Sequence, residues 1–188
     1  ALNFAAVYKA PVVFICENNG WAISTPTSKQ TANEILAAHG AAHGMPCIRV
    51  DGNDILAMMC ATKEATERAR NGAGPTLIEA VTFRMSLHTT ADDPTVYRNE
   101  DEVKMWESRC PILRFATYLT KKGLLDSGAI EETLAACEED AIKARDAFYA
   151  MPPAKPEEIF DHLYESMPKE LQAQREEYLR RLRQKGVE

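Results

Sequence analysis

Val12-Val13-Phe14-Ile15-Cys16, closed by Glu17-Asn18-Asn19-Gly20, is the stretch that decides the fold. A continuous apolar run of this length, bounded by turn formers, reads as a strand buried on both faces. Two further runs are β-rich. Cys47-Ile48-Arg49-Val50 stops at Asp51-Gly52, and residues 76–83 (TLIEAVTF) form the third. Between them, helices are expected over about Ala32 to His43 and over Ile55 to Arg70, the latter with Leu56, Met59 and Cys60 at helical spacing. Strands alternating with helices predict an α/β fold, a parallel sheet flanked by helices on both faces. Ligands bind such sheets beyond the carboxyl ends of the strands, which directs attention to the residues that follow each strand.

Downstream the character changes. Residues 84–98 (RMSLHTTADDPTVYR) are polar and turn-rich around Pro94 and are predicted to form a long loop; long ordered loops in compact domains are commonly functional. Helices are expected over Asp101 to Ser108, Pro111 to Lys121 and about Ala129 to Ala150. A Pro-rich break at 151–156 and a closing helix, roughly Lys169 to Lys185, follow. The closing helix is dense in Glu, Gln and Arg and reads as a solvated or partner-facing arm. The chain thus divides into an α/β part, 1–98, and a C-terminal helical extension, 99–188. Ala1 to Tyr8 reads as the end of a helix already under way, with no initiator Met or cap, so a longer parent chain is expected.

Apolar content of 45% against 27% charged is a soluble globular profile. The net charge of −6 argues against nucleic acid as the main partner, which would need a basic face. No apolar run approaches the roughly 20 residues that span a bilayer, and nothing reads as a signal peptide. Cys16, Cys47, Cys60, Cys110 and Cys137 are odd in number and lack a CxxC pair, so buried reduced thiols of a cytosolic or matrix protein are expected.

Two stretches carry candidate chemistry. Asn18-Asn19-Gly20-Trp21 follows a strand, where an amide oxygen and a main-chain carbonyl could ligate Mg²⁺; the same residues also make an ordinary turn. In His88-Thr89-Thr90-Ala91-Asp92-Asp93-Pro94 an imidazole sits among hydroxyls and carboxylates. That pattern suits phosphate binding or proton transfer, and equally an exposed His beside a turn-forming Asp-Asp-Pro. His39 and His43 have metal-ligand spacing but no third ligand, and read as surface or packing residues. No GxGxxG or P-loop is present to support a generic nucleotide-binding fold.

Residues 8–25 (YKAPVVFICENNGWAIST) resemble the second half of the thiamine-diphosphate fingerprint of 2-oxo acid dehydrogenase alpha subunits. That fingerprint opens with Gly-Asp-Gly and closes with Asn-Asn. Residues 48–54 (IRVDGND) are similar to the family's next segment, and His88 to Arg98 to its signature loop. Residues 156–171 (PEEIFDHLYESMPKEL) look like the branched-chain subfamily. The resemblance implies a partial thiamine-diphosphate-binding fold. Asn19, through its side chain, and Trp21, through its carbonyl, would ligate Mg²⁺, with the remaining protein ligand expected from a Gly-Asp-Gly upstream of Ala1. His88 aligns with the histidine that reaches the cofactor's diphosphate and assists acyl transfer. Asp92, Asp93, Tyr97 and Arg98 align with the loop that supports it and docks a lipoyl domain. Thr89 stands where mitochondrial relatives carry a phosphorylated serine.

The implied activity is decarboxylation of branched-chain 2-oxo acids (3-methyl-2-oxobutanoate type), with acyl transfer to lipoamide of a dihydrolipoyl acyltransferase. The implied partner is a beta subunit, in a heterotetramer, and the implied location is the bacterial cytoplasm or the mitochondrial matrix. Two departures stand out. Trp21 replaces a common tyrosine, and Glu17 replaces the arginine of mitochondrial branched-chain relatives where pyruvate relatives carry glutamate. The alternatives are therefore a pyruvate or acetoin dehydrogenase alpha subunit, or a non-catalytic assembly module for the 188 residues alone.

Overall fold

A computed structural model describes residues 1–186. In chain order the elements are α1 (Leu2–Val7), β1 (Val13–Asn18), β2 (Trp21–Ala22), β3 (Thr25–Pro26), α2 (Thr27–Gln30), α3 (Ala38–Ala41), β4 (Cys47–Asp51), α4 (Ile55–Arg70) and β5 (Thr76–Val81). After a 3₁₀ turn at Pro94–Val96 come α5 (Glu100–Glu107), α6 (Pro111–Lys121), α7 (Ser127–Tyr149), α8 (Glu158–Asp161) and α9 (Lys169–Gln184). The chain forms two compact units, Ala1–Ile130 and Glu131–Glu188.

The expected α/β fold with a parallel sheet is present. β5 lies between β1 and β4 and pairs parallel to both, which buries it from Thr76 to Ala80. Asn18 and Asp51 both stand opposite Val81, so the three strands end level with one another. The turns after β1, β4 and β5 consequently leave from one edge.

On one face of the sheet α4 packs through Ala61 and Ala65 against Ile78, with Val13, Ile48 and Val50 around them. Four-residue spacing puts Ala61, Ala65 and Ala69 on one stripe, and their small side chains let the helix backbone approach the strands closely. Asp54 caps α4 by accepting from the amides of Leu56 and Ala57. The helix has the expected bounds but not the expected face: Leu56, Met59 and Cys60 stay exposed. On the opposite face Gly40 of α3 sits against Cys47 and Leu77, where an added Cβ would lie 2.7 Å from the Cys47 Sγ. Cover by helices is uneven. Ile15, on the α4 face of edge strand β1, remains 53% exposed.

The helix expected over Ala32 to His43 is largely absent and shrinks to α3. Thr31 Oγ1 accepts from the Asn33 amide at 3.2 Å, and Asn33 Oδ1 accepts from the Ile35 amide at 3.0 Å. Side chains that capture backbone donors in this way compete with the helical ladder. The Ala37 amide is likewise taken by Glu79 Oε2 at 2.8 Å.

All five cysteines are free, as expected, but none is fully buried, and Cys60 and Cys137 are exposed. Cys60 lies off the alanine stripe of α4 that contacts the sheet, and Cys137 belongs to a helix with no buried residue. Among the described residues no helix is long and apolar enough to cross a membrane. Within the second unit, Glu177 of α9 pairs with Arg180 and Arg181 along the helix, consistent with the solvated arm expected there.

Candidate functional site

The turn after β1 is built from two asparagines with different duties. Asn18 Nδ2 donates to the buried Glu79 carboxylate at 2.9 Å, while its Oδ1 accepts from the Gly20 amide at 3.3 Å and from Thr27 Oγ1 at 3.5 Å. Asn19 Oδ1 accepts from the Trp21 amide at 3.1 Å, an Asx turn that fixes the amide plane. Gly20 takes φ +83°, a conformation that favours glycine. β2 and β3 then form a short antiparallel ribbon in which Trp21 faces Pro26 and the Gly20 carbonyl accepts from the Thr27 amide. Alternation along such a ladder makes Trp21–Pro26 a non-hydrogen-bonded pair, so the Trp21 carbonyl is directed away from its partner strand.

The loop after β5 is tied to the same edge by Arg84. Its Nη2 donates to the Ile23 carbonyl at 2.6 Å and to the Tyr97 hydroxyl at 3.1 Å, and its Nη1 lies 3.4 Å from His88 Nδ1. A guanidinium only donates, so Nδ1 is the acceptor and a neutral His88 ring carries its proton on Nε2. Asp92 Oδ2 accepts from the His88 amide at 2.8 Å and from the Tyr97 hydroxyl at 2.7 Å. These two bonds, led by the one from His88, hold the Asp92 carboxyl below its ordinary range. Burial first, then the bond to Asp92, pushes the Tyr97 phenol up. The Tyr97 and Trp21 rings meet at 5.3 Å, joining loop to turn. Arg98 donates to the carbonyls of Arg84 and Met85 and covers the Phe83 ring at 5.7 Å.

Of the residues singled out from sequence, Asn19, Trp21, His88, Asp92, Tyr97 and Arg98 therefore form one connected arrangement. Asp93 does not join it: its carboxylate caps the 3₁₀ turn through the Thr95 amide and hydroxyl. Thr89 is exposed, as are His39 and His43. A cavity of about 430 Å³ opens at this edge, lined in part by Asn18, Trp21, Thr27, Arg49, Phe83 and Trp106.

Sequence reasoning missed the residues that do the tying. In the sequence Arg84 is only the start of the loop. Arg114 of α6 clamps the turn after β4, reaching Asp51 at 2.8 Å and Asp54 at 3.2 Å. Burial would raise the Asp51 carboxyl, but its bonds to Arg114 and the Asn53 amide bring it below the ordinary value. Glu79 is fully buried in β5 and accepts from Asn18, from the Ala37 amide and from Arg49 Nε at 3.3 Å. Burial acts to raise its carboxyl, yet these donors outweigh it and the group is held low, hence ionised. The available signal was a charge in the middle of an apolar run.

The donors at the β1 turn suit a hard divalent cation, which takes oxygen ligands. Asn19 Oδ1 is oriented and spends one lone pair on Trp21, and the Trp21 carbonyl is directed off the ladder. No group of three or more His, Cys, Asp or Glu able to hold a metal exists among the described residues. Any cation here would rest on neutral oxygens and need further ligands.

A family model described as Dehydrogenase E1 component matches residues 1–156. The chain is 49% identical over 177 residues to the 3-methyl-2-oxobutanoate dehydrogenase subunit alpha of Mycobacterium tuberculosis, covering 94% of this chain and 48% of that protein. It is 48% identical over 181 residues to the pyruvate dehydrogenase E1 component subunit alpha of Acholeplasma laidlawii, covering 94% and 52%. The Staphylococcus aureus protein of the same name matches at 48% identity, covering 94% and 48%. The chain spans about half the length of the curated relatives it matches.

Proposed function

Because this chain belongs to the dehydrogenase E1 component family, we propose that it acts as the alpha subunit of a thiamine-diphosphate-dependent 2-oxo acid dehydrogenase, of branched-chain type. The observation that carries this reading is the Arg84 tether, which joins the His88 loop to the Asn19–Trp21 turn across the sheet's carboxyl edge. A relative named for 3-methyl-2-oxobutanoate and relatives named for pyruvate match almost equally well. The branched-chain preference therefore rests on residues 156–171, and pyruvate or acetoin is the alternative substrate.

Thiamine diphosphate, when bound, supplies the carbanion chemistry that releases CO₂ from a 2-oxo acid. The chain's own residues supply position and charge. Asn19 Oδ1 and the Trp21 carbonyl hold Mg²⁺ for the diphosphate. With Nδ1 occupied by Arg84, His88 presents its Nε2–H as a hydrogen-bond donor to an anionic oxygen. Asp92 and Tyr97 hold the His88 backbone, and Arg98 closes the base of the loop. The loop that carries Asp92, Asp93, Tyr97 and Arg98 also receives the lipoyl domain of an acyltransferase. A beta subunit completes the cofactor site in a heterotetramer of the bacterial cytoplasm or the mitochondrial matrix.

Decarboxylation of 3-methyl-2-oxobutanoate and of pyruvate, and cleavage of acetoin, by the full-length protein with its beta subunit tests the proposal. Turnover should be highest with 3-methyl-2-oxobutanoate. Equal or higher activity on pyruvate would overturn the branched-chain assignment, and no activity on any of them the enzyme itself. The isolated 188 residues, with Asn19 and Trp21 as the metal donors assigned here, should give no heat with thiamine diphosphate and Mg²⁺.

A further inference from the structure

We propose that Glu79 is the positioning residue of the metal-ligating turn: its buried carboxylate dictates which way the Asn18 amide faces, and through it the shape of the turn presenting Asn19 and Trp21. The role toward a metal rests on the function proposed above; the control of the turn does not.

An ionised carboxylate only accepts hydrogen bonds. Glu79 Oε1 receives Asn18 Nδ2 and Arg49 Nε, and Oε2 receives the Ala37 amide. Asn18 must therefore point its NH₂ inward, and its oxygen is left facing Gly20 and Thr27. Flipping that amide would set a donor against the Gly20 N–H and the Asn18 oxygen against the Glu79 charge. One buried charge on the central strand thus removes the turn's alternative. The same carboxylate pins the segment leading into α3 from the other side. Glu79 itself is 0% exposed and touches no surface a ligand could reach.

Hydrogen exchange at single amides of the 188-residue chain tests this without any ligand. Glu79→Met removes both oxygens at similar length and leaves half-exposed Arg49 free to reach water. The Gly20 and Trp21 amides should exchange about fivefold faster, as for one net hydrogen bond lost, while the Ala65 amide of α4 keeps its protection. Glu79→Gln supplies a single oxygen, best spent on the two donors of the Oε1 side. It should restore Gly20 and Trp21 while the Ala37 amide stays fast, a split that simple loss of packing would not produce. Wild-type exchange at Gly20 and Trp21 in Glu79→Met, or Glu79→Gln as fast as Glu79→Met there, would overturn the proposal.

If Glu79→Met does not fold, Asn18→Leu cuts the same link and is read at Trp21, whose acceptor Asn19 is untouched. Faster exchange there supports the proposal and unchanged exchange overturns it. In the full-length protein with its beta subunit, Glu79→Met should weaken Mn²⁺ binding about tenfold or more, the usual effect of losing a group that orients a ligand. A loosened turn with unchanged Mn²⁺ affinity would refute the metal reading and leave the control of the turn standing.

Discussion

Replacing Arg84 with methionine should release the 84–98 loop from the sheet edge while the fold persists. Arg84 donates to the Ile23 carbonyl at 2.6 Å and the Tyr97 hydroxyl at 3.1 Å, and faces His88 Nδ1 at 3.4 Å. Hydrogen bonds contribute about 0.5–1.5 kcal/mol net, and the low end suits groups partly open to water. At about 0.5 kcal/mol each, the three contacts favour the tethered loop by about 1.5 kcal/mol, roughly tenfold in population. Limited proteolysis reads that population when opening is fast relative to cleavage. Arg84→Met should be cut within residues 84–98 about tenfold faster than the wild type, and its His88 amide should lose protection. Amides of β5 should not change. Arg84→Lys keeps the charge but cannot span three acceptors from one planar fork, so it should fall between the two. Cleavage of Arg84→Met at the wild-type rate would refute the tether and leave the Tyr97–Trp21 ring contact as the link between loop and turn.

Gly52→Ala should destabilise the first unit by about 1–3 kcal/mol through overpacking, because its Cβ would fall 2.4 Å from Thr82 Cγ2 and 3.0 Å from the Val81 carbonyl; a urea melt measures it. Thiol labelling at about pH 8 should modify exposed Cys60 and Cys137 first. Burial, with Glu79 adding to it at Cys16, pushes the Cys16 and Cys47 thiols up, so labelling of Cys16 as fast as Cys60 would contradict the structure. The depressed Asp92 carboxyl makes loop order depend on acid. Its contribution is full above the ordinary Asp value of about 3.9 and is lost as the pH falls through the lower folded value. Protection of the His88 amide should follow that course, and Asp92→Asn should flatten it.

The three strands of the parallel sheet were legible because each is a short run rich in apolar and β-branched residues, broken by a single charge at Arg49 in β4 and at Glu79 in β5, and the parallel sheet follows from the helices between them. The helix Ile55–Arg70 was legible in extent but not in orientation. Periodicity favoured Leu56, Met59 and Cys60, whereas close approach to the sheet selects Ala61, Ala65 and Ala69. Residues 32–37 misled because Thr31 and Asn33 satisfy backbone donors locally, which a count of apolar spacing does not register. At the site, Asn19, Trp21, His88 and Asp92 were visible from their place after strands and their side-chain chemistry. Arg84 and Glu79 were not. Their decisive contacts, Arg84 to Ile23 and Glu79 to Asn18, each span 61 residues and exist only once the strand ends come level.

That wiring also determines how a cation would bind. The carboxylate that holds the β1 turn from strand β5, Glu79, faces inward and is paired with Arg49. The carboxylate of the neighbouring loop, Asp92, is engaged by His88 and Tyr97. The two ligands assigned to the turn, an amide oxygen on Asn19 and a carbonyl oxygen on Trp21, are both neutral. A dication that meets only neutral oxygens from this turn, with at most one carboxylate expected from the upstream Gly-Asp-Gly, keeps a net positive charge and is drawn to an anionic co-ligand such as a diphosphate. Metal and diphosphate should therefore bind as a unit in the assembled enzyme, each raising the affinity for the other by the same factor, as linkage requires. Titrating Mn²⁺ with and without thiamine diphosphate measures that factor. Equal Mn²⁺ affinity in the two titrations would mean that a charged protein ligand, and not the diphosphate, balances the ion.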